Sequence, residues 1–157
     1  MQTACFQSPL GITEIQGDEN GIARISILDI EKEISTIIPE VLQNTIDELQ
    51  EYFEGNRTHF TFKMLPKGTD FQQKVWQELI NIHFGKTISY LELSKKLGDV
   101  KAIRAVASAN GKNPLWIVVP CHRVIGTDGS LTGYAGGLWR KKWLLEHENP
   151  SNQGSLF

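Results

Sequence analysis

SYLELSKKLGDVKAIRAVASANG, residues 89–111, is the stretch on which the reading of this chain turns. Ser89 followed three residues later by Glu92 forms a capping box, in which a hydroxyl and a carboxylate satisfy backbone N–H groups that a helix start leaves free. The helix it opens is short and ends at Gly98. A second helix is predicted from about Lys101 to Asn110, closed by Gly111. Two short helices joined by a tight, Gly-containing turn make a helix-turn-helix candidate. The second helix is nearly smooth: Ala102, Ala105, Ala107, Ser108 and Ala109 surround Arg104, the one long side chain in its middle. Such a helix suits close packing against another helix, or close approach to a narrow surface with Arg104 projecting.

Working outward, Thr69-Asp70-Phe71-Gln72 is another capping box. Phe71, Val75, Trp76, Leu79 and Ile82 recur at helical spacing after it, and Gly85 stops the helix. On the other side, the apolar run Leu115 to Val119 ends at Pro120 and delivers Cys121 and His122 side by side. A Gly-rich loop, Gly126 to Gly137, carries Tyr134. Trp139, Trp143, Leu144 and His147 predict a last helix closing at Glu148, before Asn149-Pro150.

The first half reads differently. Ser8-Pro9-Leu10-Gly11 is a turn, Ile12 to Gln16 alternates, Asp18-Glu19-Asn20-Gly21 is a hairpin turn, and Ile22 to Leu28 alternates again. Val41, Leu42, Thr45, Ile46, Leu49, Tyr52 and Phe53 recur with helical spacing up to Gly55. Phe60, Phe62 and Met64 alternate and predict a third strand. The expectation is an α/β N-terminal domain over 1–66, a small antiparallel sheet plus a helix. A mainly helical C-terminal domain follows over 67–150, with a flexible tail over 151–157.

Composition sets the bounds. The chain has 157 residues, 40% hydrophobic and 22% charged, as in a soluble globular protein. No apolar stretch is long enough to span a bilayer, and no secretory signal is visible, so a cytoplasmic location is expected. The net charge of −2 hides an asymmetry: residues 1–66 carry −7 and residues 67–157 carry +5. An acidic half joined to a basic half suggests that the second alone meets a polyanion. Cys5 and Cys121 are the only cysteines, and the histidines fall in no ligand spacing, so no metal is expected.

The chemistry gathers at Cys121. A thiol becomes a nucleophile as its thiolate and needs a base or positive charge nearby. His122 is the obvious base. In an extended segment, however, neighbouring side chains point to opposite faces, so contact requires a bend at Pro120 or a bridging water. The imidazole also needs its second nitrogen held, for which Glu148, Glu146 and Asp128 are candidates.

Pro120-Cys121-His122-Arg123-Val124 closely resembles the active-site signature of the methylated-DNA–protein-cysteine methyltransferases, also called O6-alkylguanine-DNA alkyltransferases. Ser89-Tyr90-Leu91-Glu92-Leu93, Arg104-Ala105-Val106, Asn113-Pro114, Tyr134-Ala135-Gly136-Gly137 and Trp143-Leu144-Leu145-Glu146-His147-Glu148 fall in family order and spacing. Ser8-Pro9-Leu10-Gly11 and Tyr52-Phe53-Glu54-Gly55 are similar too, so the resemblance spans residues 8 to about 149. It implies a ribonuclease-H-like N-terminal domain and a winged-helix-like helix-turn-helix. It also implies repair of O6-alkylguanine, and less readily O4-alkylthymine, in double-stranded DNA by a suicide transfer that needs no cofactor. The damaged nucleotide is flipped out, because its alkyl group cannot be reached inside the stack.

The resemblance further implies residue roles. Cys121 takes the alkyl carbon, His122 takes the thiol proton through a water, and Glu148 orients His122. Tyr90 donates to guanine N3 and crowds the 3′ phosphate. The backbone carbonyls of Cys121 and Val124 read the exocyclic amine, while Tyr134, Ala135 and Gly136 line the base pocket. Arg104 enters the stack, and Ala102, Ala105, Ser108 and Asn113 belong to the DNA-binding surface, the smooth helix lying in the minor groove. Some members carry Ser where Ala135 stands, and some carry zinc in the first half; a lone Cys5 predicts none here. The protein is expected to act as a monomer. The tail, Gln153-Gly154-Ser155-Leu156-Phe157, resembles the peptide by which bacterial repair proteins dock on the sliding clamp. The competing readings are a binding-only relative that flags alkylated DNA and a helix-turn-helix regulator with a structural thiol.

Overall fold

The computed structural model describes residues 1–134 and 136–150; Ala135 and the clamp-like tail, 151–157, lie outside the described residues. The chain forms two compact units. One is Met1–Lys67 with Pro114–Val118, and the other is Gly68–Asn113 with the described residues from Val119 onward. The stretch 114–118, read from sequence as part of the second half, thus groups with the first.

The first unit is a meander of β1 (Gln2–Ser8), β2 (Gly11–Asp18) and β3 (Gly21–Leu28), antiparallel in the order β1-β2-β3. Alternation sets its inner face, where Ile15, Ile22 and Ile25 are buried. Gly21, at a φ of +150°, also fits because a Cβ there would come within 2.9 Å of Leu65. Helix α1 (Glu40–Phe53) buries Leu42, Ile46, Leu49 and Tyr52 at helical spacing against β1 and β2.

The strand predicted over Phe60, Phe62 and Met64 does not form. Only Met64 bridges to the sheet, at Ile22, with Ile22 N donating to Lys63 O and Leu65 N to Ile22 O, both at 2.8 Å. The reason is local. The Thr61 N–H is taken by the buried Glu48 carboxylate at 2.7 Å, and Phe60 packs on Phe62 and Tyr52 with ring centroids 5.8 Å apart. The edge of β3 instead receives the chain at 114–116: Ile25 N donates to Pro114 O at 2.9 Å and Trp116 N to Ile25 O at 3.1 Å. Ile117 follows with φ at +71°, a left-handed conformation that β-branched side chains rarely adopt.

In the second unit both expected capping boxes are present, Thr69 with Gln72 opening α2 (Asp70–Ile80) and Ser89 with Glu92 opening α3 (Tyr90–Lys96). Phe71, expected on the apolar face of α2, is 38% exposed; Val75, Trp76 and Leu79 are buried. Trp76 Nε1 donates to Ala109 O at 2.9 Å, tying α2 to α4 (Ile103–Gly111). The smooth helix differs from expectation at its start. Val100–Ala102 is a 3₁₀ turn whose Lys101 N–H is capped by Asp99 at 2.9 Å, so Ala102 precedes α4. Strands β4 (Ile88–Ser89) and β5 (Val124–Ile125) pair in parallel, and α5 (Leu138–Glu148) closes the unit. Among the described residues no helix is long and apolar enough to cross a membrane.

Glu48 is the polar staple of the first unit. It is 2% exposed and accepts from Asn44 Nδ2 at 2.9 Å as well as from Thr61 N at 2.7 Å, with Arg57 Nη1 3.5 Å away. Burial works to raise its pKa, but Thr61, Asn44 and Arg57 outweigh burial and hold it below the ordinary carboxylate value. Glu48→Ala is therefore expected to lower unfolding free energy by about 3 kcal/mol in urea titrations at pH 7. Because the folded pKa is depressed, the wild-type advantage is present above 4.5 and shrinks as pH falls below it.

Candidate active site

Pro120 ends the apolar run, and Cys121–Arg123 turn as a single 3₁₀ helix rather than continuing as an extended segment. The turn starts where Cys121 N donates to Val119 O at 2.8 Å and continues with Arg123 N to Pro120 O at 3.0 Å. All three side chains are buried, His122 completely. This tight turn replaces the extended geometry in which neighbouring side chains point to opposite faces.

Of the three carboxylates left open by the sequence, the structure brings Glu148 to His122. Glu148 Oε2 lies 2.7 Å from His122 Nε2. Glu146 instead approaches Lys142 at 4.0 Å on the outer face of α5, and Asp128 accepts from Ser130 N at 3.0 Å in its own turn. Arg123 completes the cluster. Its Nε donates to Glu148 Oε1 at 2.7 Å, its Nη2 to Glu148 Oε2 at 3.0 Å, and its Nη1 to the Ile82 carbonyl at 2.7 Å. This fork-to-carboxylate pairing gives both strength and a fixed plane.

The electrostatics assign protons. Burial would raise Glu148, but His122 and Arg123 outweigh it and hold the carboxyl well below its usual range, so it is ionised. Burial pushes His122 below its ordinary value of 6.5; Glu148 pulls it up, and Arg123 and Lys141 push it down again. A neutral His122 donates Nε2–H to Glu148 and leaves Nδ1 as a lone-pair acceptor. Nδ1 is buried and has no hydrogen-bond partner among the described residues. That is the posture of a general base whose far nitrogen is fixed.

Around the thiol, burial raises the Cys121 pKa above 9.0; the Asn113 side chain, the Lys141 ammonium and the Tyr134 hydroxyl act the other way. Asn113 is itself placed by donation from Nδ2 to Val119 O at 2.7 Å. Tyr90, at the start of α3, accepts from Asn110 Nδ2 at 3.3 Å; burial raises its pKa, and Cys121 raises it further. The Asn110 amide also reaches Cys121 O, at 3.4 Å.

Arg104, Ala105 and Ser108 share the exposed face of α4, opposite the buried Val106, Ala109 and Asn110, with Ala102 beside them at the 3₁₀ turn. Exposed Lys95, Lys96, Lys101 and Lys112 flank them. Val124 is buried, and its carbonyl already accepts from Lys141 Nζ at 2.6 Å, which leaves its second lone pair for any further donor. Gly136 is buried beside α5, and Tyr134 lies in the preceding loop.

Sequence reasoning did not single out Lys141, Arg123 and Asn110, which the structure groups with Cys121 and Glu148. For Lys141 the signal was present. It stands at i of an i, i+3, i+4, i+7 stripe with Leu144, Leu145 and Glu148, all buried, so a cation occupied an apolar register. Of the residues that suggested the helix, Leu144 lies on this stripe, while Trp139, Trp143 and His147 lie on the outer side, where Trp143 stacks on His147 with centroids 4.8 Å apart.

Two changes test this cluster. Glu148→Gln leaves the Arg123 charge buried without its anion and is expected to cost about 3 kcal/mol of stability. Because burial depresses His122, the unfolded chain binds a proton below pH 6.5 that the folded protein refuses, so stability falls as pH drops from 7 toward 5. Urea titrations across that range are expected to show the slope, and His122→Gln to flatten it.

Comparison with known proteins matches the description "6-O-methylguanine DNA methyltransferase, ribonuclease-like domain" over residues 1–66 and "6-O-methylguanine DNA methyltransferase, DNA binding domain" over residues 70–150. A methylated-DNA–protein-cysteine methyltransferase of Methanosarcina acetivorans is 42% identical over 155 residues, 94% of this chain and 98% of that one. One of Mycobacterium tuberculosis is 43% identical over 147 residues, 91% of this chain and 89% of that one. Among solved structures, Mycobacterium tuberculosis OGT in complex with DNA aligns with a TM-score of 0.86 at 41% identity, covering 94% of this chain and 92% of that one.

Proposed function

Because the chain belongs to the methylated-DNA–protein-cysteine methyltransferase family, we infer that it repairs DNA by moving an alkyl group from a damaged base to Cys121. The observation that carries this reading is His122: its Nε2 is pinned to Glu148, its Nδ1 is unpartnered, and it shares one 3₁₀ turn with the thiol.

The substrate is O6-alkylguanine, and less readily O4-alkylthymine, flipped out of duplex DNA. A bridging water carries the thiol proton to His122 Nδ1, and Glu148 stabilises the imidazolium that results. Cys121 Sγ then forms a bond to the alkyl carbon while the carbon–O6 bond breaks and its electron pair stays with the base. The released guanine regains a proton as it leaves, and Tyr90, donating to N3, offsets the charge on it meanwhile. The Lys141 ammonium, pushed down to about 8 by burial, is still largely protonated at pH 7 and favours the thiolate. The product is a thioether on Cys121, which no step reverses, so each molecule acts once.

DNA is met through the exposed face of α4. Its small side chains allow close approach in the minor groove, Arg104 fills the space left by the flipped base, and the flanking lysines contact phosphates. Backbone groups of Cys121, Val124, Ala135 and Gly136 read the base, with Tyr134 beside it, and Asn113 holds the turn that carries the thiol. The protein acts as a monomer in the cytoplasm. The tail 153–157 offers Leu-Phe anchors to the sliding clamp.

Incubation with duplex DNA containing O6-methylguanine is expected to raise the intact mass by one methylene, mapped to Cys121, and Cys121→Ala to abolish the gain. Binding without mass gain would support a damage-flagging protein or a regulator instead. Deleting residues 153–157 is expected to abolish capture by an immobilised clamp while leaving the mass gain unchanged; equal capture with and without the tail removes that part of the reading.

A further inference from the structure

Asn110 stands with Val106 and Ala109 on the buried face of α4 and is 3% exposed. The Ala109 carbonyl beside it is held by Trp76 Nε1 at 2.9 Å, which fixes this turn of the helix. Both hydrogens of the Asn110 amide are given away. Nδ2 donates to the Tyr90 hydroxyl at 3.3 Å and to the Cys121 carbonyl at 3.4 Å. Its Oδ1, also buried, has no hydrogen-bond partner among the described residues. A buried acceptor left unpaired is costly, and an apolar side chain of the same shape would avoid that cost. Neither the relay of His122 and Glu148 nor the exposed face of α4 uses this residue.

The two partners fix which way the amide faces. A backbone carbonyl can only accept, so Cys121 O requires the NH2 group on its side and Oδ1 turned away. The Tyr90 oxygen receives the second N–H. That constrains the Tyr90 hydroxyl in turn, because a phenol oxygen both accepts and donates. Burial raises the Tyr90 pKa above 10.0, so the phenol keeps its proton at pH 7. Asn110 and the Thr132 side chain act in the opposite direction, as donors to the phenol oxygen do. With donors on the oxygen, the hydroxyl hydrogen is left to point at a further group. One amide thus joins the Tyr90 hydroxyl to the backbone of the residue that bears the thiol.

We propose that Asn110 is a positioning residue for the alkyl transfer, which by donating to Tyr90 turns the phenol hydrogen toward N3 of the extruded guanine. The inference rests on the transferase reading above and on the Tyr90 contact to N3 within it. As the bond from Cys121 Sγ to the alkyl carbon forms and the carbon–O6 bond breaks, the electron pair left on the base spreads onto its ring nitrogens. A hydrogen already aimed at N3 meets that charge without reorganisation. Without Asn110, the hydroxyl loses the donor that sets its rotation.

The test uses the full chain and two duplexes, one carrying O6-methylguanine and one 3-deaza-O6-methylguanine, in which a C–H replaces N3. Single-turnover rates are read by intact mass at saturating DNA, so that weaker binding does not enter. Wild type is expected to be faster on the first duplex by about tenfold or more. Asn110→Leu is expected to slow the first duplex about tenfold, the scale of one lost hydrogen bond to developing charge, and the second by less than about twofold. Added to Tyr90→Phe, it is expected to slow the first duplex no further. Equal slowing of Asn110→Leu on both duplexes, which a purely structural role gives, overturns the proposal, as does slowing on neither. A further loss in the Tyr90→Phe background overturns it too, as do equal wild-type rates on the two duplexes. If Asn110→Leu does not fold, Asn110→Ala decides on the same ratio. A wild-type protein that gains mass from neither duplex fails at the earlier step, and the transferase reading falls along with this one.

Discussion

A single buried carboxylate, Glu148, holds the second unit's working parts in register. Its two oxygens receive Arg123 through Nε and Nη2 and His122 through Nε2, and Arg123 reaches on to the Ile82 carbonyl just past α2. The end of α5, the 3₁₀ turn and the segment after α2 therefore converge on one ion cluster. Buried ion pairs are weak contributors to net stability but costly to break on one side, and they impose one geometry on what surrounds them. That is the property the proposed general base requires. Glu148 holds the His122 ring through Nε2, and Arg123 holds the carboxylate in turn.

The same helix supplies a second electrostatic device. Lys141 is buried and donates to two backbone carbonyls, with no carboxylate partner among the described residues. A desolvated ammonium facing only neutral dipoles is poorly compensated, which is why burial lowers its pKa. The Cys121 thiol has the opposite problem: burial resists its ionisation. Each group's deficit is relieved by the other's charged state. Ionising the sulfur supplies an anion to the lysine, and the lysine supplies a cation to the sulfur. In the proposed transfer His122, held below its ordinary pKa by burial, is left to take the proton.

What the sequence disclosed follows the range of the interactions involved. Capping boxes at Thr69 and Ser89 involve residues three apart, and both were legible. So were β2, β3 and α1, whose apolar periods repeat within a few residues. The 60–64 strand was misread because its fate depended on Glu48, thirteen positions upstream, which takes the Thr61 N–H that a ladder would need. The 3₁₀ start of α4 was hidden for a related reason: Asp99 caps Lys101 and resets where the regular helix begins. At the candidate site, Cys121 and His122 were singled out by their chemistry, and the pairing of His122 with Glu148 was reached through family resemblance. Choosing Glu148 over Glu146 on residues alone required knowing which side of α5 faced inward, and the aromatic residues that first suggested that helix mark its outer side. Lys141 stood in plain view on the buried stripe but was passed over because lysine is expected at the surface.

The excursion at Pro114–Val118 bears on how this chain can be cut. Its neighbours in sequence, Asn113 and Val119, belong to the unit that carries the thiol, yet Leu115 bridges to Ile25 in the meander and the Phe53 ring lies 6.3 Å from Trp116. A scission near residue 67 would leave those five residues on the fragment that lacks their partners, with Pro114, Leu115 and Trp116 parted from Ile25. The first unit is thus discontinuous in sequence, and the fragment after such a cut, although it carries the thiol, would hold a stretch that belongs with the sheet it has lost.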